Sequence, residues 1–409
     1  MGHWAASGLC RRKSRCVRDE CPIDERVCES VWPLGDQGDP GRVNGIQFTP
    51  VSSSHLTRVT PTIIIAAPAM RPLPLVYHPA YSCPWPAQHR FPMWKFADLH
   101  AHLSSIGLAN QRSLHTPSEH PPHEWFEAVH EPSYYRDFLN GALGEKAERR
   151  IGFGAQMRSP ELITRTLLEV SGTVKTVQLA LANGLAANLA GGTHHAHRGF
   201  GSGFTILNDL AVAAAWARRH AGVERVAIID LDVHQGDGTA SIFEADEKIF
   251  TCSMHCGANF PFRKASSDMD IDVPRGTTDD EYLRILADDA LPTILGTAKP
   301  DLVLYDAGVD AFEGDQVRRD EPLTRSRAKP HQRAVRLSSH PQLGHLSLSH
   351  AGLWKRDSLV VEACVAAGVP VACVIGGGYD RDARALARRH GLVHRAAAKV
   401  WERHGLGKM

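Results

Sequence analysis

The chain has 409 residues, 43% of them hydrophobic and 22% charged, enough for one large core or for two domains. Its formal net charge is +1, so no global field points to nucleic acid and direct nucleic-acid binding is not expected. No apolar run is long enough to cross a bilayer, which argues against a membrane-spanning protein.

Residues 1–72 mix charge, Pro and Ser without a sustained period and read as a variable tail or leader. Cys10, Cys16, Cys21 and Cys28 crowd this segment without a CxxC pair, which favours an unstructured tail over a zinc knuckle. Nine cysteines in a long chain argue for reduced thiols, with Cys252 as a packed one. The expected address is cytoplasmic, or nuclear or organellar if the first segment is a leader.

Residues 73–409 read as one domain. It opens on a short strand over Pro74–His78, followed by a helix within Phe91–Ile106 that starts after Pro92. His115–Glu124 is loop-like and Glu124–Leu143 irregularly helical. Ser159–Leu189 is a long helical region, split near Gly172. A Gly-rich loop, Gly191–Gly203, leads to an Ala-rich helix over Leu210–His220. Strands are expected at Val226–Leu231, Lys248–Met254, Asp301–Tyr305 and Val371–Ile375. Helical runs alternate with them at Thr239–Phe243, Asp279–Leu291 (with Thr277 and Thr278 as caps), Trp354–Ala367 and Asp380–Arg389. Trp94 and Trp354 are expected to pack helices. The layout is α/β, three layers with a mainly parallel central sheet, and such sheets place their sites beyond the C-terminal strand ends. A basic, polar insertion at about 319–342 breaks the rhythm and reads as a solvated surface segment.

Chemistry concentrates at those strand ends. Asp230, Asp232 and His234 follow a buried strand at i, i+2 and i+4, and so share one side of an extended backbone. Carboxylates and imidazole are donors that zinc accepts. Asp310, just beyond the strand ending at Tyr305, is the natural third ligand, and Asp306 could take its place. His194 and His195 are tandem histidines on a Gly-rich loop, and Asp230 and Asp237 offer carboxylates to orient them. Gly376-Gly377-Gly378-Tyr379 could deliver a phenol to a developing oxyanion.

With these residues in place the chain resembles the histone deacetylase superfamily, arginase-like in fold. GGTHHAHRGFGSGFTILND, AIIDLDVHQGDGTA, SMHCGANFPFR, YDAGVDAFEGD and VIGGGYDRD occur in that family's order, over about residues 74–398 apart from the insertion. GGGYD and NFPFR are closer to the bacterial deacetylase-like and class IV branches. The resemblance implies zinc on Asp232, His234 and Asp310, Asp230 paired with His194, and Asp237 with His195. It also implies Tyr379 as the catalytic tyrosine and Gly203 and Phe204 as the wall of an acyl-lysine tunnel. A potassium ion is expected on Asp230, Asp232, His234, Ser253 and Met254. The family's charged rim residue has no match, and Thr116–Glu119 is expected to serve instead. The implied activity is zinc-dependent hydrolysis of Nε-acyl-lysine in proteins. The alternatives are a long-chain fatty-acyl-lysine deacylase, an acetylpolyamine or small-amide deacylase, an arginase-like ureohydrolase, and a non-catalytic acyl-lysine-binding scaffold.

Overall fold

The computed structural model describes residues 70–315 and 346–408, so the insertion expected at 319–342 and nearly all of the expected tail lie outside the described residues. The described residues begin slightly before residue 73. Arg71 N–H donates to Gly407 O at 3.0 Å, and Trp401 Nε1 donates to Arg71 O at 2.7 Å.

Eight parallel strands form one sheet. They are β1 (Leu75–Val76), β2 (Leu114–His115), β3 (Leu185–Asn188), β4 (Val226–Asp230), β5 (Ile249–Cys256), β6 (Met269–Val273), β7 (Leu302–Asp306) and β8 (Val371–Val374), in the order β2-β1-β3-β8-β7-β4-β5-β6. β3, β4, β7 and β8 are buried along their whole length, as a parallel sheet covered on both faces requires. Chain direction splits at β1, which has β2 on one side and β3 on the other, and again at β4. From β4 the chain moves to β5 and β6, then returns to lay β7 on the other side of β4. The loops leaving β4 and β7 therefore part around a crevice, the position where open α/β sheets bind ligands.

The helices are α1 (Lys95–Ser105), α2 (His123–Glu127), α3 (Pro132–Leu139), α4 (Glu145–Ile151), α5 (Pro160–Asn183), α6 (Asp209–His220), α7 (Asp237–Phe243), α8 (Asp279–Arg284), α9 (Leu291–Thr293), α10 (His350–Ala366) and α11 (Ala383–Arg403). α5 packs on α6, while α1, α10 and α11 pack together, giving the outer layers of a three-layer αβα fold.

Several elements differ from the sequence reading. α5 runs unbroken through Gly172, because that glycine marks a close contact and no break: a Cβ there would strike the Tyr81 hydroxyl. The region expected to stay helical to Leu189 instead ends at Asn183 and becomes β3. β6 was not expected, since Met-Asp-Ile-Asp-Val alternates and is half-exposed at the sheet edge. Neither threonine caps α8 through its side chain. The Thr277 hydroxyl donates to Pro274 O, and Thr278 makes no cap bond. α11 extends far beyond Arg389, its buried Gly391 admitting His102 of α1. Trp94 stands among the exposed large hydrophobic residues, whereas Trp354 lies under Arg395 and Lys399. Cys252 is buried, and burial, followed by Asp230 and Asp270, pushes its thiol pKa up.

His130 ties the α2–α3 connection to the site loops. Its Nε2 accepts from Asn208 N–H at 2.9 Å while Nδ1 faces His197 O at 3.0 Å, an arrangement only the neutral ring can make. Burial lowers its pKa to about 4, against opposing bonds to the His197 and Arg198 carbonyls. The folded pKa lies below the unfolded one, so this contribution is complete above about pH 6.5 and is lost as pH falls toward 4. The expected loss is about 3 kcal/mol. Urea midpoints measured from pH 7 to 4.5 should show it, and His130→Gln should flatten that part of the slope.

Candidate metal centre and acyl pocket

Asp232 and His234 sit on the loop leaving β4, and Asp310 on the loop leaving β7. Backbone amides fix the carboxylates. His234 N–H donates to Asp232 Oδ1 at 2.9 Å, Gly377 N–H to Asp232 Oδ2 at 2.8 Å, and Val233 N–H to Asp310 Oδ1 at 3.0 Å. His234 Nδ1 then lies 2.9 Å from Asp232 Oδ1 and 3.2 Å from Asp310 Oδ2. Donor atoms of the three residues lie within 4.8 Å of one another, all buried, and Asp310 Oδ2 accepts no hydrogen bond.

In the protein alone, electrostatics push a proton into this cluster. Burial acts to lower the His234 pKa, but Asp232 and Asp310 outweigh it and raise it to about 9. Burial and then Asp232 raise the Asp310 pKa. Two carboxylates and one imidazole around an orphaned buried oxygen fit a divalent cation, and the donor set suits zinc.

A second buried cluster adjoins it. His194 Nδ1 pairs with Asp230 Oδ2 at 2.7 Å and lies 3.8 Å from Asp306 Oδ2. Asp306, in register with Asp230, therefore stands beside His194 and not among Asp232, His234 and Asp310. Neither of its carboxylate oxygens accepts a hydrogen bond, and burial, then Asp230, raises its pKa well above the carboxylate range. His195 Nδ1 pairs with Asp237 Oδ1 at 2.6 Å, and Asp237 Oδ2 meets His197 Nε2 at 3.2 Å. The two tandem rings are 4.1 Å apart and titrate in opposite directions. Burial acts against protonation of His194, but Asp230, Asp232 and Asp306 raise its pKa well above the ordinary value. Burial, then the neighbouring His194, lowers the His195 pKa to about 4, with Asp237 opposing. The pair thus divides into a charged ring and a neutral one.

Ser253 and Met254 lie on β5, with Ser253 in register with Asp230. Ser253 Oγ meets His255 Nδ1 at 3.0 Å, and the acidic cluster around Asp230 takes Asp306 as its third member.

One cavity joins these groups. Its lining includes His194, His195, Asp232, His234, Asp310 and Tyr379. Tyr379 is half-buried, its backbone N–H donating to Asp315 Oδ2 at 2.8 Å. Burial and then Asp310 and Asp232 raise its phenol pKa well above 10, so the group is a hydrogen-bond donor at any working pH. Its glycine loop presses on the histidine loop. At Gly192, φ is +89° and a Cβ would lie 2.5 Å from Gly376 Cα, so only glycine serves there. Gly203 and Phe204 form one wall; a Cβ on Gly203 would lie 2.6 Å from His195 Cδ2. Phe260, to which the sequence reading gave no role, lines the cavity with its ring 4.9 Å from that of His195.

Also unanticipated are Lys95, Arg165 and Glu169, buried among the lining residues. Arg165 clasps Glu169 in two bonds of 2.6 Å. Lys95 Nζ donates to Gly376 O at 3.0 Å; burial lowers its pKa to about 8, against Glu169. The buried hydrophobic neighbours of these groups are Phe91 and Phe96. Thr116–Glu119 does not line the cavity. Ser118 O accepts from Ser171, and Glu119 meets His78, so the rim expectation is corrected. Arginines stand in the lining instead: Arg90, Arg149 and Arg150.

A model of the histone deacetylase domain matches residues 89–394. The chain belongs to the histone deacetylase family. An uncharacterized protein of Picosynechococcus is 47% identical over 328 residues, covering 80% of this chain and 99% of that one. Histone deacetylase 2 of Arabidopsis thaliana is 31% identical over 235 residues, covering 55% of this chain and 54% of its own. The crystal structure of the HDA15 HD domain superposes with a TM-score of 0.62 at 20% identity, over 80% of this chain and 89% of that one, a likeness of fold. Within the deacetylase family's sheet, then, the described cavity opens at the split between β4 and β7.

Gly377 tests how tightly this deacetylase-family site is built. A Cβ there would collide with the carboxylate oxygens of both Asp310 and Asp232. Gly377→Ala should displace one of them and lower activity at least about tenfold while the melting temperature changes little, since misplacing site groups is costly in rate. Wild-type turnover in that variant would show the contact to be slack.

Proposed function

We propose that the protein is a zinc-dependent deacylase that hydrolyses the amide of an Nε-acyl-lysine in a protein or peptide. The observation that supports this most is the convergence of Asp232, His234 and Asp310 in the cavity shared by the His195–Asp237 pair and Tyr379. Zinc, when bound, would polarise the acyl carbonyl and acidify water. His195, neutral and oriented by Asp237, is suited to take the proton of the attacking water and return one to the lysine amine. His194, held charged by Asp230, Asp232 and Asp306, stabilises negative charge as it develops. Tyr379 donates its phenol proton to the oxyanion. Phe204 and Phe260 would flank the aliphatic stem of the lysine and exclude water. The family resemblance adds potassium on Asp230, Asp232, His234, Ser253 and Met254 to this reading; Asp306 brings a further buried carboxylate beside Asp230.

The decisive assay is a panel of peptides carrying acetyl, medium-chain and fatty acyl-lysine, run with and without a chelator. Hydrolysis that survives complete zinc removal would sink the proposal. Tyr379→Phe should keep its zinc and lose about two orders of magnitude in turnover, the usual effect of deleting an oxyanion donor. Asp310→Ala should come through purification with zinc well below one equivalent per chain by elemental analysis; undiminished zinc would remove Asp310 from the ligand set.

A further inference from the structure

The charges lining the cavity divide by depth. Its carboxylates are all buried: Asp232 and Asp310 at the metal centre, and Glu169 clasped by Arg165. Its exposed charges are all positive: Arg90, Arg149 and Arg150. Arg90 stands over the Phe204 ring, 5.6 Å from its centroid, and its charge reaches Tyr379. Arg150 is held in place, Nε donating to Gly201 O at 3.2 Å and the guanidinium 4.1 Å from the Phe200 centroid. Among the described residues no carboxylate pairs with either. Among the same residues Arg149 pairs with Glu145, one turn away on α4, both largely exposed, a pairing worth little in water. The chain as a whole is close to neutral at +1, so this concentration of positive charge is local to the opening.

We propose that this arginine rim selects acyl-lysines whose flanking residues are acidic. The inference rests on the deacylase reading above and names its substrate class. A carboxylate beside the acylated lysine would meet three guanidinium groups, of which Arg90 and Arg150 have no carboxylate partner among the described residues and are already positioned by aromatic rings, so little side-chain freedom is lost on binding. A lysine-rich flank would bring like charges together over the same opening, and so would a polyamine, which is cationic along its length. On the deacylase reading the acylated lysine itself anchors the ligand, which favours a peptide over a nucleic-acid strand as the anion.

Two peptides with the same central acetyl-lysine, one flanked by glutamates and one by lysines, test the inference on the zinc-loaded full chain. The expected kcat/KM ratio is at least tenfold in favour of the acidic peptide at low salt and shrinks as salt is raised. N-acetylspermidine should rank with the basic peptide. In Arg90→Glu and, separately, in Arg149→Glu the ratio should fall several-fold. Using two separate variants guards against either one being misfolded. Fluorescence anisotropy of the same labelled peptides on Tyr379→Phe reads the preference as binding, apart from turnover. Equal rates for the two wild-type peptides, or a preference for the basic one, overturn the inference and leave the deacylase reading standing. Failure to bind or cleave either peptide overturns both.

Discussion

Four carboxylates buried at the ends of two adjacent strands set the constraint on which the rest depends. Asp230 and Asp306 pair in register across β4 and β7, and Asp232 and Asp310 follow within four residues on the departing loops. All four are essentially inaccessible. Charge at that depth is tolerated only if it is paired, protonated or bound to a cation. Two imidazoles answer part of it, His234 between Asp232 and Asp310 and His194 against Asp230, and what remains appears as unsatisfied oxygens on Asp306 and Asp310. A sheet core assembled around such a deficit makes sense as a cation site, because a divalent ion replaces protons that the cluster would otherwise have to hold.

The loops that carry these groups have no regular structure of their own, so something must hold them from behind. Arg356, buried on α10, does so. Its Nη1 donates to Leu231 O at 3.1 Å and to Gly308 O at 2.7 Å, and its Nη2 to Ala307 O at 3.2 Å. One guanidinium thus joins the β4 loop to the β7 loop through main-chain carbonyls. Asp357 neutralises it at 2.8 Å and also accepts from the Tyr305 hydroxyl at 2.7 Å. Asp209 plays the matching role for the histidine loop, accepting from Gly192 and Thr193 amides and from the Thr193 hydroxyl at 2.6 Å. The planar, five-donor shape of arginine suits bridging three carbonyls in a way that a lysine could not copy.

β4, β7 and β8 were legible because both their faces are buried and they read as short apolar runs, whereas the equally buried β3, Leu-Ala-Ala-Asn, reads as the end of the helix before it. The site was legible where a polar residue interrupts such a run at its C-terminal end, as Asp230, Asp232 and His234 do. Legibility failed where meaning depends on partners distant in sequence. Gly172 reads as a break until Tyr81, from the other end of the domain, is seen against it. The β6 pattern Met-Asp-Ile-Asp-Val looks polar because only one side of an edge strand packs. Asp306 was open as an alternative ligand, since sequence spacing does not say on which side of Asp230 it lies; the register with β4 places it beside His194. Arg356 gave no signal at all: one arginine in a helix of ordinary composition.

The cavity wall at Phe204 shows how the surrounding packing sustains an unfavourable backbone. Phe204 has φ +64°, a region that costs a bulky side chain about 1–3 kcal/mol. Its backbone N–H is anchored to Ile151 O at 2.8 Å, and its ring packs against Phe153 at 5.6 Å and Phe91 at 5.8 Å. Gly152 leaves the space this ring needs, for a Cβ there would lie 2.8 Å from Phe204 Cε1. Aromatic pairs of this kind contribute about 0.5–1.5 kcal/mol each beyond buried area, so the cluster offsets the strain. The same ring lies 6.0 Å from Tyr379 and lines the cavity that also takes in Asp232, His234 and Asp310. The strained backbone is therefore what turns a core aromatic toward the site, and the cluster of Phe91, Phe153 and Gly152 around it belongs to the pocket's architecture as much as Asp232, His234 and Asp310 do.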